Sequence, residues 1–557
     1  MFELHRTNVE TAWTAAPAKS RCIGRKKNAR ASRGAAEWRR RHSAARFRAF
    51  LLFKPRCPCK VAALARCLAR LWLCGALSLS PWLAPAAPRE QLRPVGVASI
   101  DITPDYPIRL TGYAVRKTEC EGVTQRLFAK ALAIGSEREG PALLITVDNC
   151  GVPGAVRDEV ADRLQRKRRI APSRVAICST HTHSAPWVKG FAPNIFGVQI
   201  PAEQEGRVER YTRELTDALE TVALRALDDR RPAYLARGQT QAGFAANRRT
   251  KGGPADHDLP VLRVTEPGGK LRALFVSYAC HCTTFGGDFN RICGDWAGYA
   301  GEYLEQQHPG AVVLVALGCG GDANPAPRST LELAKQHGRE IAAAVDGLLT
   351  GGLTPVTGKL ACRTKRLELP FDTLPTRAEW EARARETNYA GSHARLNLAR
   401  LDRGETLPTR LPYTVQTWTF GRDLAMVFLP GEVVVDYSLR LKREFDASRL
   451  WVNAYANDVP CYIPSERVLK EGGYEGGGAM IYYDRPTRFA PGIEDRIVTA
   501  VRDLLPKQFR SQSSPAEKQA DRKISDNNIF VTTHRAPRIP SPDSPFTFRV
   551  SRITHHS

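Results

Sequence analysis

Two histidines separated by one residue form the motif of this chain that points most directly to chemistry. His181 and His183 lie in Ser179-Thr-His-Thr-His-Ser-Ala-Pro186, directly after an apolar run that predicts a strand. In extended backbone their side chains project to the same face. Two imidazoles on one face can bind a metal ion together, or one can bind it while the other transfers protons. For an isolated motif of this kind, a pair of hydrogen-bonding loop histidines is the favoured alternative.

A third histidine follows a second predicted strand. His281 lies in Ala279-Cys-His-Cys-Thr-Thr284, after the apolar run Ala273 to Tyr278. A single histidine at such a place is more often a core residue than a ligand. Two strand-end histidine motifs in one α/β sheet weigh against that interpretation, because strand ends border the crevices in which α/β proteins bind ligands.

Oxygen ligands are available in two later loops. Glu432 ends Phe428-Leu-Pro-Gly-Glu432, between a predicted strand and a predicted helix, so it is either an oxygen ligand or a carboxylate that favours the positive end of the helix dipole. Tyr462 lies in Asn457-Asp-Val-Pro-Cys-Tyr-Ile-Pro464, ahead of a glycine-rich stretch. Tyrosines in such loops are most often packing residues.

The loop Leu317-Gly-Cys-Gly-Gly-Asp-Ala-Asn-Pro325 follows another apolar run. Its small residues predict a tight turn whose backbone N–H groups converge on an oxyanion or a phosphate. It lacks the Lys-Ser/Thr of a phosphate-binding P-loop, so we do not predict nucleotide binding. Asp295 lies at the start of another predicted helix. Its carboxylate is either a helix cap or a functional group.

Strands and helices alternate between these motifs, and the folded part begins near Val95. This order predicts an α/β fold with a mixed sheet, helices on its faces and the active site at strand ends. Apolar runs predict strands at 142–147, 175–178, 273–278, 311–317, 413–420, 424–429 and 451–455, and helical periods predict helices at 156–168, 202–228, 331–349, 433–445 and 493–505.

Positive charge is concentrated at the two ends of the chain. The net charge is +25, but residues 1–88 hold 18 Lys and Arg against three Asp and Glu, and residues 507–557 hold nine against four. The middle therefore carries only about +5, whereas a nucleic-acid enzyme usually has its basic surface on the folded domain. We expect no nucleic acid partner. The 14 cysteines show no paired CxxC spacing, so a thiolate zinc site is not predicted.

The N-terminal segment has the order of a secretory signal. A basic flank at residues 60–70 precedes the apolar run Leu71 to Ser80, and small residues follow at 84–87. We expect a secreted or periplasmic protein, with a membrane-anchored form as the alternative. The predicted organisation is a basic extension with the signal-like segment at 1–90, a catalytic domain at 91–506 and a basic, poorly ordered tail at 507–557.

Taken in order, the motifs of residues 95–505 resemble the neutral (non-lysosomal) ceramidase family. The order and strand-end placement of these short motifs make the resemblance specific. The matching segments are Gly96-Val-Ala-Ser-Ile-Asp-Ile-Thr103, Thr180-His-Thr-His-Ser184, Ala279-Cys-His281, Gly294-Asp295 with Gly298-Tyr299, Gly321-Asp322, Pro430-Gly-Glu432, and Tyr462 with Tyr474-Glu-Gly476.

The resemblance implies a zinc-dependent amide hydrolase that acts on ceramide-like, N-acyl lipid substrates in sphingolipid metabolism. It implies a zinc ion held by two histidines, a glutamate and a tyrosine, with a proton-transferring histidine beside the metal. The implied metal ligands are His181, His281, Glu432 and Tyr462, and the implied catalytic residues are His183, Asp322, Asn324 and Tyr462.

Two departures from the family pattern bear on the activity. Asn324 occupies the position of the serine that is the family's proposed nucleophile, and an amide nitrogen cannot form an acyl-enzyme, although it can donate to an oxyanion. The family's additional C-terminal immunoglobulin-like domain also has no counterpart in the short basic tail. Open alternatives are direct attack by water, hydrolysis of another bond such as an ester or a sugar-linked amide, and a non-catalytic binding protein. Contact with a membrane surface and the oligomeric state also stay open.

Overall fold

The computed structural model describes residues 91–511, and its largest element is a nine-stranded mixed sheet. A four-stranded sheet and two short two-stranded ladders complete the β structure. The strands are β1 (Arg93–Asp101), β2 (Phe128–Ile134), β3 (Ala142–Val147), β4 (Val175–Ser179), β5 (Arg231–Gln241), β6 (Ala245–Asn247), β7 (Asp258–Thr265), β8 (Leu271–Tyr278), β9 (Val312–Leu317), β10 (Ala323–Pro325), β11 (Thr354–Pro355), β12 (Leu360–Pro370), β13 (Arg410–Phe420), β14 (Leu424–Phe428), β15 (Glu432–Val433), β16 (Leu450–Asn453) and β17 (Tyr462–Ile463).

The helices lie mainly on the outer faces of the sheets. They are α1 (Gly154–Arg168), α2 (Ala202–Asp228), α3 (Asp295–Gln307), α4 (Leu331–Leu349), α5 (Arg377–Ala384), α6 (Tyr389–Asp402), α7 (Val435–Glu444), α8 (Glu466–Glu471), α9 (Gly473–Gly476) and α10 (Ile493–Leu504).

The order of the large sheet is β4-β3-β2-β1-β5-β7-β8-β9, with β11 paired to β5. Most neighbours are antiparallel, but β4 runs parallel to β3 and β9 runs parallel to β8. Strands β3, β4 and β9 are buried on both faces, which explains why their sequences are continuous apolar runs rather than alternating ones. The loops that leave the ends of β4, β8 and β9 carry three of the sequence motifs.

The two larger sheets pack face to face. Phe275 and Leu314 of the large sheet share one core with Trp418, Phe428 and Trp451 of the β12-β13-β14-β16 sheet. Helix α2 packs on β1 and β2, α3 packs on β9, and α10 packs on β12 and β13. The result is a layered α/β structure in which each sheet has helices on the face that the other sheet does not cover.

The sequence-based α/β prediction is confirmed, and several elements agree closely. The predicted helices at 202–228 and 331–349 match α2 and α4, and the other predicted elements differ by a few residues at their ends. The missed elements include β2, β5, β7, β12, α5 and α6. The solvent-facing β12 has the burial pattern of a half-exposed strand and a sequence rich in charged residues, so its apolar signal is weak.

Helices α5 and α6 form a hairpin with a small core of its own around Trp380. Contacts of Arg400, His393 and Tyr389 attach it to the segment at 482–484. Arg400 forms an ion pair with Asp484, and the ring of Tyr389 packs 5.4 Å from that of Tyr482. The Tyr389 hydroxyl also donates to the carbonyl of Ala114 over 2.9 Å.

We expect Asp484→Asn to lower the free energy of unfolding by about 2 kcal/mol, because it removes a charged hydrogen-bond partner of Arg400. Burial raises the pKa of Asp484. Arg400 and His393 lower it by more than burial raises it, so the pKa falls to about 2. The folded-state pKa is thus below the unfolded value, so the stabilisation is present at neutral pH and is lost as the pH falls towards 2. Chemical denaturation at several pH values measures both effects.

The matched control is Asp402→Asn, whose carboxylate pairs with Arg377 at an exposed site. We expect a change of no more than about 0.5 kcal/mol there. Equal destabilisation by the two variants at pH 7 would contradict the prediction.

Structure continues past the predicted boundary at 506, since Lys507–Phe509 forms a 3-10 turn and Phe509 is buried. The signal-like segment at 60–87, the rest of the extension at 1–90 and the tail from 512 lie outside the described residues. Within residues 91–511 no helix combines the length and the apolar character needed to cross a bilayer. The nine cysteines of this range form no disulfide with one another.

Candidate metal centre

Two histidines and a glutamate from three distant loops meet at one buried point. Oε2 of Glu432 lies 3.1 Å from Nε2 of His181 and 2.9 Å from Nε2 of His281. All three side chains are almost completely shielded from solvent, with exposures of 0–2%. Three atoms that normally accept hydrogen bonds therefore converge where water does not separate them.

Short backbone ladders hold these loops in place. Thr182 and Cys282 form a parallel bridge, which aligns the loop after β4 with the loop after β8. Glu432 lies in β15, directly opposite Tyr462 of the parallel strand β17. The Gly321 N–H donates to the Val433 carbonyl over 2.9 Å, and a Cβ at Gly321 would lie 2.6 Å from the Glu432 carbonyl oxygen. A glycine is needed at 321 because the glutamate strand passes so close.

The backbone at the first histidine differs from the expected extended conformation. His181 has φ of 53°, in the left-handed region, so the simple alternation of side chains does not apply. The two imidazoles nevertheless meet, with Nε2 of His183 lying 3.0 Å from Nε2 of His181. His183 is therefore beside the three-residue cluster, and its Nδ1 is buried without a hydrogen-bond partner among the described residues.

Hydrogen bonds fix which nitrogen of each clustered histidine faces Glu432. Nδ1 of His181 donates to the Cys150 carbonyl over 2.5 Å, and Nδ1 of His281 donates to the Gly320 carbonyl over 2.7 Å. When Nδ1 carries the proton, Nε2 of a neutral imidazole presents a lone pair. A backbone carbonyl behind the ring is the usual support of a metal-binding histidine.

Tyr462 supplies a fourth oxygen at the same point. Its hydroxyl lies 3.3 Å from Nε2 of His281 and accepts a hydrogen bond from Arg248 over 2.9 Å. Burial raises the pKa of Tyr462, and Arg248 opposes this by favouring the phenolate. Tyr483 donates to the other oxygen of Glu432, which leaves Oε2 directed at the histidines.

The protonation pattern reflects the crowding of these acceptors. Burial lowers the pKa of His181, but Glu432 and Cys150 together outweigh burial and raise it to about 10. Burial and then Arg248 lower the pKa of His281 to about 4. Burial and the other two imidazoles lower the pKa of His183 well below its ordinary value. Without a metal ion, a proton must therefore lie among Glu432 Oε2 and the two Nε2 atoms. A cation bound at this point would interact with the same lone pairs.

This donor set fits zinc, which takes imidazole nitrogen and carboxylate oxygen in catalytic sites. His181, His281, Glu432 and Tyr462 are the predicted ligands, and the structure brings all four together. Their role as zinc ligands stays a prediction. Cys150 lies behind His181, with its sulfur 3.7 Å from Nδ1, so it faces the side of the ring opposite Glu432.

Arg248 is the main residue of the site that sequence reasoning missed. It follows β6 and contacts Tyr462, Asn324 and Glu475 through its guanidinium nitrogens, at 2.9, 3.3 and 2.8 Å respectively. No spacing signal marks it in the sequence, because only the pairing of the three-residue strands β6 and β10 brings it to the centre. Its burial beside His281 is the unusual feature, since arginine is seldom buried unless it is paired.

Asn324 lies next to Arg248, whereas Asp322 is used elsewhere. The Asp322 carboxylate accepts from the Val435 N–H over 2.8 Å and from Asn247 Nδ2 over 3.0 Å. Both of its oxygens thus hold backbone and side-chain groups at the start of α7 and at the end of β6. These contacts show that Asp322 positions neighbouring segments, and its catalytic role stays a prediction.

The expectation that the loop at 317–325 binds an anion through its N–H groups is wrong. The amides of Gly318, Gly320, Gly321 and Ala323 all donate to backbone carbonyls of the fold. Asp295 likewise serves structure, because its carboxylate accepts from the Thr284 N–H over 2.9 Å.

A cavity of about 160 Å³ opens beside the donor set. At roughly 30 Å³ for one water molecule, it holds about five groups of that size. Its walls are largely aromatic. They join the segment at 482–484, which contacts the α5–α6 hairpin, to the loops that carry the predicted metal ligands. The lining includes Tyr113, His181, His183, Phe191, Ile195, Glu432, Tyr462, Tyr474, Tyr482 and Tyr483.

Comparison with known proteins places part of this chain in a family. Residues 94–368 match the family described as neutral/alkaline non-lysosomal ceramidase, N-terminal. This region belongs to the neutral ceramidase family. It contains His181, His183, Arg248, His281 and Asn324, while Glu432 and Tyr462 follow it in the chain.

Curated relatives of this ceramidase-family region include the neutral ceramidases of Drosophila melanogaster and Drosophila pseudoobscura pseudoobscura. Each is 28% identical over 257 residues, which are 42% of this chain and 36% of the relative. The match therefore spans about a third of those proteins.

Solved structures extend the likeness in fold beyond the family match. Neutral ceramidase from Pseudomonas aeruginosa is similar with a TM-score of 0.58 and 20% identity, over 77% of each chain. A ceramidase complexed with C2 gives 0.60 and 18%, over 76% of this chain and 77% of that one. At these identities the comparison establishes the shared fold.

We expect Glu432→Gln to weaken zinc binding by more than roughly 100-fold. Losing a residue that only orients a metal ligand costs roughly 10–100-fold in affinity. Glu432 should cost more, because within the described residues it is the only carboxylate that contacts both histidines. Metal analysis after dialysis, with chelator competition for the affinity, measures the effect. Glu305→Gln is the matched control. Glu305 lies on α3 and pairs with Lys130 of β2, so this substitution should leave the zinc content unchanged. Equal zinc affinity in Glu432→Gln and wild type would refute the predicted ligand set.

Proposed function

We propose that this chain is a zinc-dependent hydrolase of amide bonds, with N-acyl, lipid-like compounds as its substrate class. The observation that carries the proposal is the convergence of two carbonyl-anchored imidazoles, a carboxylate and a phenol at one buried point beside a cavity. Membership of residues 94–368 in the neutral ceramidase family supports the amide as the bond that is cleaved.

His181, His281, Glu432 and Tyr462 would hold the zinc ion. When bound, zinc polarises a carbonyl oxygen and lowers the pKa of water towards 7, which amide hydrolysis near neutral pH requires. The remaining roles belong to side chains around this point.

His183 is the residue placed for proton transfer. Its ring lines the cavity and lies 4.7 Å from the ring of His181, measured between centroids. Because burial and the neighbouring imidazoles lower its pKa, it stays neutral and can accept a proton from water. It would return that proton to the leaving nitrogen.

Arg248 positions the phenol and adds positive charge. It donates to the Tyr462 hydroxyl over 2.9 Å, and Glu475 holds it from behind over 2.8 Å. A fixed cation beside the reacting carbonyl stabilises negative charge that develops on oxygen. Water is excluded on this side because Arg248 and Glu475 are largely buried.

The size of the cavity bears on the substrate. About 160 Å³ accommodates the amide group and a few attached carbons, so most of a long acyl chain would lie outside it. Exposed apolar side chains at Val115 and Val198 are within three residues of the cavity-lining Ala114 and Ile195. These side chains support contact of the cavity mouth with a lipid chain or a membrane surface.

A second candidate is hydrolysis of another bond, such as an ester or a sugar-linked amide, by the same centre. Asn324 favours it, because a side-chain amide cannot serve as the acyl-accepting nucleophile. Secretion or export to the periplasm is a separate proposal that rests on the signal-like segment at 60–87.

We expect the zinc-loaded full chain to hydrolyse at least one member of a panel of short and long N-acyl amides, and His181→Ala to reduce kcat by about 10³-fold or more while the fold is kept. Esters and N-acetylated sugars in the panel separate the two candidates. Product formation is followed by mass spectrometry, with and without chelator.

His308→Ala is the matched control, because His308 pairs with Asp346 away from the centre and should keep full activity. Turnover that is equal in His181→Ala and wild type would remove the catalytic role of the centre. Turnover of esters alone would favour the second candidate.

A further inference from the structure

A second and larger cleft lies under helix α3, apart from the candidate metal centre. Its volume is about 500 Å³, against about 160 Å³ for the cavity beside the donor set, and the two share no lining residue. At roughly 30 Å³ for one water molecule, the cleft holds about sixteen groups of that size. It is therefore large enough for a small organic ligand.

Neighbouring strands of the large sheet form the floor of this cleft. Lys130 of β2 is the cross-strand partner of Thr146 of β3, so their side chains lie side by side on one face. Phe128 and Asp148, each two residues further along, project to the same face because side chains alternate in extended chain. All four line the cleft, and strand β9 completes the floor with apolar side chains.

Glycines of α3 leave the space above this floor open. Gly298 and Gly301 both line the cleft. A Cβ at Gly301 would lie 3.6 Å from Nζ of Lys130 and 3.9 Å from a methyl group of Val315. These are ordinary contact distances to two residues of the floor. A longer side chain at 301 would therefore occupy the cleft itself.

Polar groups on the floor have hydrogen-bonding capacity that the protein does not use. Thr146 is 3% exposed and lines the cleft, and its hydroxyl has no hydrogen-bond partner among the described residues. The buried ammonium of Lys130 gives only one of its three protons to such a partner, Glu305, over 2.6 Å. The Asp148 carboxylate accepts from the Phe128 N–H over 2.9 Å and has room for further donors. Donors and acceptors that still lack partners therefore face one space.

This mixture of groups selects the chemistry of a ligand. A cation would be repelled by the Lys130 ammonium, and an anion would be repelled by the carboxylates of Asp148 and Glu305. A hydroxyl group can donate to a carboxylate and accept from an ammonium at the same time. Several hydroxyl groups on one ring would match the neighbouring donors and acceptors. The C–H groups of that ring would pack on the apolar lining, which includes Phe128 and Val315.

We propose that the cleft under α3 binds a neutral, polyhydroxylated ring of hexose size. Hydroxyl groups of the ligand contact Thr146, Lys130 and Asp148, and its C–H groups contact Phe128. A hexose has about 12 heavy atoms, so the cleft holds it together with a few water molecules. The site depends neither on zinc nor on the proposed hydrolase activity.

Calorimetric titration of the full chain with D-glucose, D-galactose, myo-inositol and methyl β-D-glucoside tests the proposal. We expect at least one of them to bind with a Kd of about 1 mM, an ordinary efficiency per atom for a ligand of this size. Ethanolamine and acetate, a cation and an anion, should not bind. The proposal is overturned if none of the four compounds binds at up to about 20 mM, or if a charged probe binds more tightly than all four.

Thr146→Val removes the unpaired hydroxyl and keeps the shape of the side chain. We expect the Kd for the bound sugar to rise about tenfold, as for the loss of one hydrogen bond. Thr364→Val is the matched control, because Thr364 is exposed on β12 and its substitution should leave the Kd unchanged. An unchanged Kd in Thr146→Val would contradict the proposed contacts.

Gly301→Leu fills the cleft while every polar group of the floor stays. We expect sugar binding to be lost and the melting temperature to be maintained, because leucine favours a helix more than glycine does. Gly347→Leu is the matched control, since Gly347 is an exposed residue of α4 with open space around it. Wild-type affinity in Gly301→Leu would place the sugar elsewhere and overturn the proposal.

Methyl β-D-glucoside distinguishes the two sources of such a ring. If it binds as tightly as D-glucose, the terminal sugar of a larger molecule fits the cleft. If only the free sugar binds, the reducing end is enclosed, and both results support the site. Lost sugar binding beside intact amide turnover would refute this site alone, whereas intact sugar binding without any turnover would refute only the proposed function.

Discussion

One carboxylate oxygen shared by two buried imidazole nitrogens constrains the rest of this structure. Oε2 of Glu432 approaches both His181 and His281 to about 3 Å where no solvent separates the charges. Such a contact is stable only with a proton or a cation among the three atoms, since lone pairs in a low-dielectric interior repel one another. The loops after β4 and β8 and the strand β15 all end in this contact, so the sheet architecture and the chemistry of the centre depend on each other.

A second buried charge is compensated differently. Arg248 contacts Glu475, and Arg249 contacts the other oxygen of the same carboxylate over 2.6 Å. Removing two charges from water is costly, and only well-formed hydrogen bonds offset the cost. This ion-pair group keeps a fixed cation beside the centre, and that cation orders both Tyr462 and Asn324. The centre thus combines a site that requires a cation with a permanent cation a few ångströms away.

Sequence reasoning found the parts of the site that follow apolar strands. His181 and His281 are identifiable because buried strands give continuous apolar runs, and each predicted run ends three residues before its histidine. Arg248 was not, because β6 has only three residues and no periodic pattern. The catalytic role of Asp322 is implied only by the family resemblance, and the contacts of its carboxylate hold the start of α7 and Asn247. Pairing between short, distant segments leaves no trace in a single sequence, and the resemblance to a family supplied what periodicity did not.

The two predicted oxygen ligands of the centre, Glu432 and Tyr462, face each other across a ladder of only two residues per strand. Their separation is set by that register and not by the chain of about 30 residues that connects them and contains α7 and β16. Extra residues in the connecting loops would leave the two oxygens where they are. A single residue inserted into either strand would turn one side chain to the opposite face. The connecting segment can therefore gain or lose loop residues without moving the two oxygens, whereas β15 and β17 cannot change length.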